Sequence, residues 1–249
     1  TKNNIIAVAS GKGGVGKTWL SITLTHLLAR AGRRVLLFDG DIGLANVDVQ
    51  LGLTPKRDLS AVFSGKATLK DVVFTHEENG FDIIAGRSGS GSLSALSIDT
   101  LNRIRTELEE LADNYDYIIM DLGAGIEKTI RFLSTIASRV VIVATDEPTS
   151  LTDAYAFIKL CLQQNKDTDL QVVINQAQSQ KEGERTYSSL DKACTSFLKY
   201  SPPLLGIIRK DNKVRDSIRS QSSMLDRAAH STAATDAAAI SIKLMQPKG

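Results

Sequence analysis

The sequence predicts an α/β fold: a doubly wound, mostly parallel sheet with helices on both faces. Three observations predict it. Short β-rich apolar runs recur along the 249 residues, longer stretches with helical spacing separate them, and the runs are apolar almost throughout. The last point requires that both faces of each strand be covered, which alternating strands and helices achieve.

The expected strands are "IIAVA" (5–9), "RVLLF" (34–38), "FDIIA" (81–85), "YIIM" (117–120), "VVIVA" (140–144), "QVVIN" (171–175) and "LLGII" (204–208). The first helix carries Leu20, Ile22, Leu24, Leu27, Leu28 and Ala31 and stops at Gly32. Further helices are expected over 99–113, 127–137, 149–164, 185–200, 211–220 and 224–245, with right-handed crossovers between parallel strands. Gly183 with its charged neighbours, and Pro202-Pro203, are expected to break the chain locally. Neither resembles a linker, so one domain is expected over 1–249. Residues 86–97, "GRSGSGSLSALS", are expected to form a flexible surface loop. The Ala-rich end, "MLDRAAHSTAATDAAAISIKLMQPKG", is expected to be a closing helix packed on the sheet.

Composition narrows the function. Hydrophobic residues make up 42% and charged residues 23%, as in ordinary globular proteins. A net charge of +2 gives no bulk argument for nucleic acid or membrane binding. The two cysteines, Cys161 and Cys194, lie far apart in helical contexts, which suits a reducing compartment and core filling. No apolar stretch could span a bilayer. The N-terminal residues lack the basic-then-apolar pattern of a secretion signal. The chain enters a strand soon after Thr1, as it would after loss of an extension. His26, His76 and His230 show no metal-ligand spacing.

The strongest local signal is "GKGGVGKT" (11–18). Gly11, Gly16, Lys17 and Thr18 satisfy the phosphate-loop pattern between a strand and a helix. The loop residues Gly11, Lys12, Gly13, Gly14, Val15, Gly16, Lys17 and Thr18 are therefore candidate contacts to ATP. Glycines allow backbone N–H groups to turn inward, and the following helix adds the positive end of its dipole. Lys17 would neutralise β- and γ-phosphates, and the Thr18 hydroxyl would ligate Mg²⁺. Trp19 follows directly and would pack, or line the nucleotide site or a dimer seam.

Two strand ends carry acids. "LLFDGDIG" places Asp39 and Asp41 at the end of the second run, and "YIIMDLGAG" places Asp121 at the end of the fourth. Ligands of open α/β sheets gather at such carboxyl ends. Asp121 and Asp39 are candidate holders of the Mg²⁺ water shell; Asp41 could orient an attacking water. Each could instead be a helix cap or turn former. Gly123 and Gly125 suggest a loop that responds to the γ-phosphate.

The second lysine of the loop, Lys12, carries a resemblance. "KGGVGKT" resembles the deviant Walker A of the MinD/ParA class of ATPases, which implies a P-loop NTPase of SIMIBI type. "FDGDIGLANVDVQLGL" (38–53), "DEPTSLTDAYAFIK" (146–159) and "IIAGRSGSGSLSAL" (83–96) are most similar to the FlhG (FleN) branch, which controls flagellar number and placement. The resemblance implies an ATP-bound homodimer in which Lys12 reaches the partner's nucleotide, giving catalytic roles to Lys12, Lys17 and Asp41. It implies adenine contact by Asn175 and a base-flanking loop at Arg209 and Lys210; Asp211 better suits a helix N-cap. It implies slow, stimulated ATP hydrolysis in the cytoplasm, with attachment to the inner face of the cell membrane left open because the final segment lacks a bulky apolar face. Implied partners are FlhF and a flagellar transcription regulator. In "DLGAGI" (121–126), Leu122 and Gly123 stand where the family has small or hydroxyl residues. MinD-type septum placement and ParA-type DNA partitioning are the alternatives, as is a carboxylate-activating ligase. No DNA partner is expected, since Arg209, Lys210, Lys213, Arg215 and Arg219 suit a solvated helix face.

Overall fold

The computed structural model describes residues 4–86 and 96–246. Its centre is an eight-stranded sheet in the order β3-β4-β2-β5-β1-β6-β7-β8. The strands are β1 (Ile5–Ser10), β2 (Val35–Gly40), β3 (Phe74–His76), β4 (Phe81–Ile84), β5 (Tyr117–Ala124), β6 (Arg139–Ala144), β7 (Asp169–Ala177) and β8 (Leu204–Arg209). All pairings are parallel except β3 with β4, a short antiparallel edge. The order runs outward in both directions from β1, which places the β1 loop at a topological switch point.

Side chains alternate across the strands and divide the core into two layers. Ile5, Ala7, Leu36, Phe38, Ile118 and Met120 meet one set of helices. These are α3 (Leu59–Phe63), α4 (Leu69–Val72), α5 (Ile98–Ala112), α6 (Lys128–Ser134), α7 (Pro148–Gln164) and α8 (Gln180–Leu198). Ile6, Val8, Val35, Leu37 and Ile119 face the other set. That set is α1 (Lys17–Arg30), α2 (Val47–Leu51), α9 (Asn212–Arg219), α10 (Met224–Ala228) and α11 (Thr232–Met245). The expected closing helix packs on β8 and α1 as α11.

The chain departs from expectation in four places. Residues 47–76 form three short helices and β3, each too short to show a period. Helix α8 starts at Gln180 and runs through Gly183; the glycine is there for close packing, since a Cβ would lie 2.4 Å from Ile207 Cγ2. The last predicted helix is two, because Ser231 accepts from Ala234 N and starts α11 afresh. Strand β5 continues to Ala124, so Asp121 and Gly123 lie within it instead of after it. The Gly/Ser-rich loop assigned to 86–97 falls mostly on 87–95, outside the described residues.

Candidate functional site

The first functional element is the turn from β1 into α1. Gly14 and Gly16 have φ of 78° and 92°, which an L side chain resists. Helix α1 begins with no side-chain cap and no acid in its first turn. Helices α5, α8 and α11 are instead capped by Ser97, Ser179 and Ser231. An uncapped start of a 14-residue helix leaves N–H donors and the dipole for an anion. Lys17, its first residue, is buried beside this turn.

The acids arrive by strand register. Asp39 of β2 is paired with Asp121 of β5, and β5 lies next to β1. Both point to the α1 face, where the Thr18 hydroxyl donates to Asp121 Oδ2 (2.6 Å) and the Ser21 hydroxyl to Oδ1 (3.0 Å). Ser21 escaped the sequence analysis; its position one helical turn from Thr18 was the available signal. Asp39 Oδ2 accepts from Asn46 N and Val47 N at 3.2 Å, holding the start of α2, and Asp39 Oδ1 accepts from Asp41 N. Asp41 Oδ1 accepts from Leu44 N (3.1 Å), closing the turn after β2. It also sits against Gly123, where a Cβ would lie 3.2 Å from it, so the glycine makes room for this acid. Leu122 is fully buried in the core.

Burial raises both paired carboxyls. Asp39 is pushed up to about 8, by desolvation first and then by the neighbouring charge of Asp121. Asp121 is pushed up to about 6 by desolvation, opposed by the Thr18 and Ser21 hydroxyls and the Lys17 charge. Two desolvated acids and a hydroxyl are hard oxygen donors that favour a divalent cation. Among the described residues no group of three or more His, Cys, Asp or Glu could hold a metal. A cation here would therefore rely on water and phosphate oxygens as well, as Mg²⁺ does. The donor set fits Mg²⁺.

Lys12 is committed within its own chain. Its ammonium pairs with the Glu147 carboxylate and donates to Thr149 Oγ1 (3.0 Å), both at the start of α7. Gly11 packs on the same helix: a Cβ there would lie 2.3 Å from Asp153 O. Asn175, at the end of β7, donates to Val15 O (2.8 Å), and Arg209 gives its guanidinium to Asp236 of α11 (2.8 and 3.0 Å). Lys210 is exposed, with its N–H on Ala177 O. Asp211 caps α9 through Lys213 N and also accepts from Ala233 N. Trp19 is buried in the apolar layer on the α1 face. Cys161 and Cys194 are free and buried, and His26 is buried against Ser223, far down α1.

The profile of the CobQ/CobB/MinD/ParA nucleotide binding domain matches residues 6–224. The chain belongs to the CobQ/CobB/MinD/ParA family. Within it, the antiactivator FleN of Pseudomonas aeruginosa is 39% identical over 240 residues, covering 96% of this chain and 85% of that protein. The flagellum site-determining protein YlxH of Helicobacter pylori is 37% identical, covering 86% of this chain and 72% of its own. MinD in the MinC:MinD cell division complex of Aquifex aeolicus superposes with a TM-score of 0.81 at 25% identity, covering 99% and 97% of the two chains. An ATP-binding ATPase of the MinD/ParA family, related to FleN, accounts for the phosphate loop, the paired acids and the switch-point location together. Among the described residues no helix is long and apolar enough to cross a membrane.

Proposed function

We propose that the protein is an ATP-driven switch that dimerises when ATP-bound and regulates the number or placement of flagella. The observation that carries the ATPase reading is the register pairing of Asp39 with Asp121 beside Thr18 and the uncapped start of α1. The similarity to FleN and to the flagellum site-determining protein YlxH supports the flagellar role.

The chain's residues divide the work. Backbone N–H groups of Gly13 to Thr18 and the Lys17 ammonium bind and orient the phosphates. Asp39 and Asp121, with the Thr18 hydroxyl, would hold Mg²⁺ and its water shell. Bound there, Mg²⁺ would neutralise charge on the phosphate oxygens. Asp41 is placed by Gly123 and the Leu44 turn to orient a water. Lys12 leaves Glu147 and extends to the partner's nucleotide, so that dimerisation and hydrolysis are coupled. Asn175 and the Arg209–Lys210 loop frame the base. Adding ATP thereby sets how much dimer exists, and the dimer presents its surface to flagellar partners such as FlhF or a transcription regulator.

Size-exclusion chromatography with light scattering, in ADP and in a non-hydrolysable ATP analogue, tests this. The analogue should give dimers and ADP monomers, and phosphate release per protomer should rise with protein concentration. Lys12→Ala should keep nucleotide binding while losing both responses. Monomers in both nucleotides, or a Lys12→Ala protein that dimerises normally, would refute the switch. Septum placement of the MinD type is the second reading, favoured by the superposition on MinD.

A further inference from the structure

We infer that the turn ending β7, Asn175-Gln176, is a positioning device that sets the peptide planes of the phosphate loop. The inference rests on that loop being the nucleotide site, and it assigns Asn175 a role separate from base contact.

The argument is one of rigid geometry. A trans peptide holds its C=O and N–H on opposite sides of one plane. Fixing the carbonyl of a loop residue therefore fixes the N–H of the next. Asn175 Nδ2 donates to Val15 O at 2.8 Å in a buried contact, and Gln176 Nε2 donates to Gly14 O at 3.4 Å. These two carbonyls belong to the peptides that carry the N–H groups of Gly16 and Val15. Drawing both carbonyls toward β7 aims both N–H groups the other way, into the turn where phosphate oxygens would sit. The same contact explains the glycine at 16. Its φ is 92°, and a Cβ would lie 2.3 Å from Asn175 Nδ2.

The turn is built for this task. Asn175 Oδ1 accepts from Gln176 N (2.9 Å), which fixes the amide with its NH₂ toward the loop. Gln176 has φ of 62°, a left-handed conformation that is costly for a non-glycine residue and persists only where its surroundings impose it. They do so from behind: Lys210 N donates to Ala177 O at 2.8 Å. The Lys210 loop is in turn held to α11, because Arg209 N and its guanidinium all donate to Asp236. A conformational cost is met at one place where two side-chain amides meet two loop carbonyls, which a merely structural turn would not require.

The test separates loop from base. Affinity is measured by calorimetry for Mg²⁺·ADP and for Mg²⁺ with inorganic tripolyphosphate, which has no base. Asn175→Ala should weaken both ligands, tripolyphosphate on the order of tenfold for the one buried hydrogen bond to the loop and ADP at least as much. Asn175→Asp should weaken both further, by setting a carboxylate against a carbonyl. Loss of ADP affinity with tripolyphosphate unchanged would confine Asn175 to base contact and overturn the inference. Should Asn175→Ala fail to fold, Gln176→Ala, at an exposed side chain, should weaken both ligands about threefold. Gln176→Lys, which restores a donor, should recover the loss; no effect of Gln176→Ala on tripolyphosphate would overturn the inference equally. A wild-type protein that binds neither ligand would instead refute the nucleotide-site reading itself.

Discussion

The two halves of the phosphate loop are held in different ways. The Gly11-Lys12 half leans on α7, and the Gly14–Gly16 half leans on β7. The β7 tie is a buried amide on a carbonyl, with its donor oriented by a second hydrogen bond. The Lys12 tie is an ion pair in which the Lys12 and Glu147 side chains are 34% and 60% exposed. Buried, directional hydrogen bonds resist exchange, because a lost partner leaves an unsatisfied group. Exposed ion pairs contribute about 0–1 kcal/mol and can be traded for another anion at little cost. One half is thus suited to holding a fixed shape, and the other to changing partners.

Breaking the packing beneath the Lys12 half should have the largest effect. In Gly11→Ala the new methyl would meet the backbone of Asp153, which no rotamer change can relieve. Either α7 or the loop must move. We expect Mg²⁺·nucleotide binding to fall by more than a hundredfold, as the overpacking cost of about 1–3 kcal/mol adds to loop distortion. Wild-type affinity by calorimetry would show that α7 does not brace the loop.

The paired acids come next. A carboxyl raised in the fold binds more protons folded than unfolded, so its contribution to stability falls as pH rises through the window between its ordinary and folded values. For Asp39 that window ends at about 8. Buried His26 works oppositely: desolvation lowers it to about 4, so stability is lost as pH falls below its ordinary 6.5. Between pH 6.5 and 8 the Asp39 effect stands alone. The nucleotide-free protein should therefore lose melting temperature across that interval. Asp39→Asn should be flat there, while losing the Mg²⁺ dependence of nucleotide binding. An Asn variant that loses as much melting temperature as wild type across that interval would mean that Asp39 is not the source of the slope.

Much of this site was legible in the sequence because its parts are local. The loop "GKGGVGKT" and the acids after "LLF" and "YIIM" announce themselves by residue type and spacing, and β-register then puts Asp39 beside Asp121. What could not be seen is what depends on distant pairing. Glu147 on Lys12, Asp236 on Arg209 and Asn175 on Val15 join positions 135, 27 and 160 residues apart. Arg209 shows the consequence: its place at the end of a strand was foreseeable, but the commitment of its guanidinium to α11 was not. In the fold, the elements missed in 47–76 are too short to show a period, and α3 and α4 are started by the Asp58 and Thr68 caps. Gly183 misled because a glycine needed for packing against Ile207 looks the same as one needed for a turn.

The smallest expected effect sharpens the contrast most directly. If Lys12 must leave Glu147 before it can serve a second protomer, the ion pair opposes dimerisation by its own free energy. Glu147→Gln removes the charge and keeps the shape, and Thr149 still receives the ammonium. The concentration at which protein loaded with the ATP analogue becomes half dimeric should then fall, by at most about fivefold for each of the two exposed pairs that open per dimer. The difference should shrink as salt rises, since screening weakens the wild-type pair alone. Nucleotide affinity of the monomer should not change, because the Val15 and Gly14 carbonyls are held elsewhere. A rise in the half-dimer concentration would place Glu147 in the seam as a contributor rather than a restraint, and the exchange of partners at Lys12 would have to be abandoned.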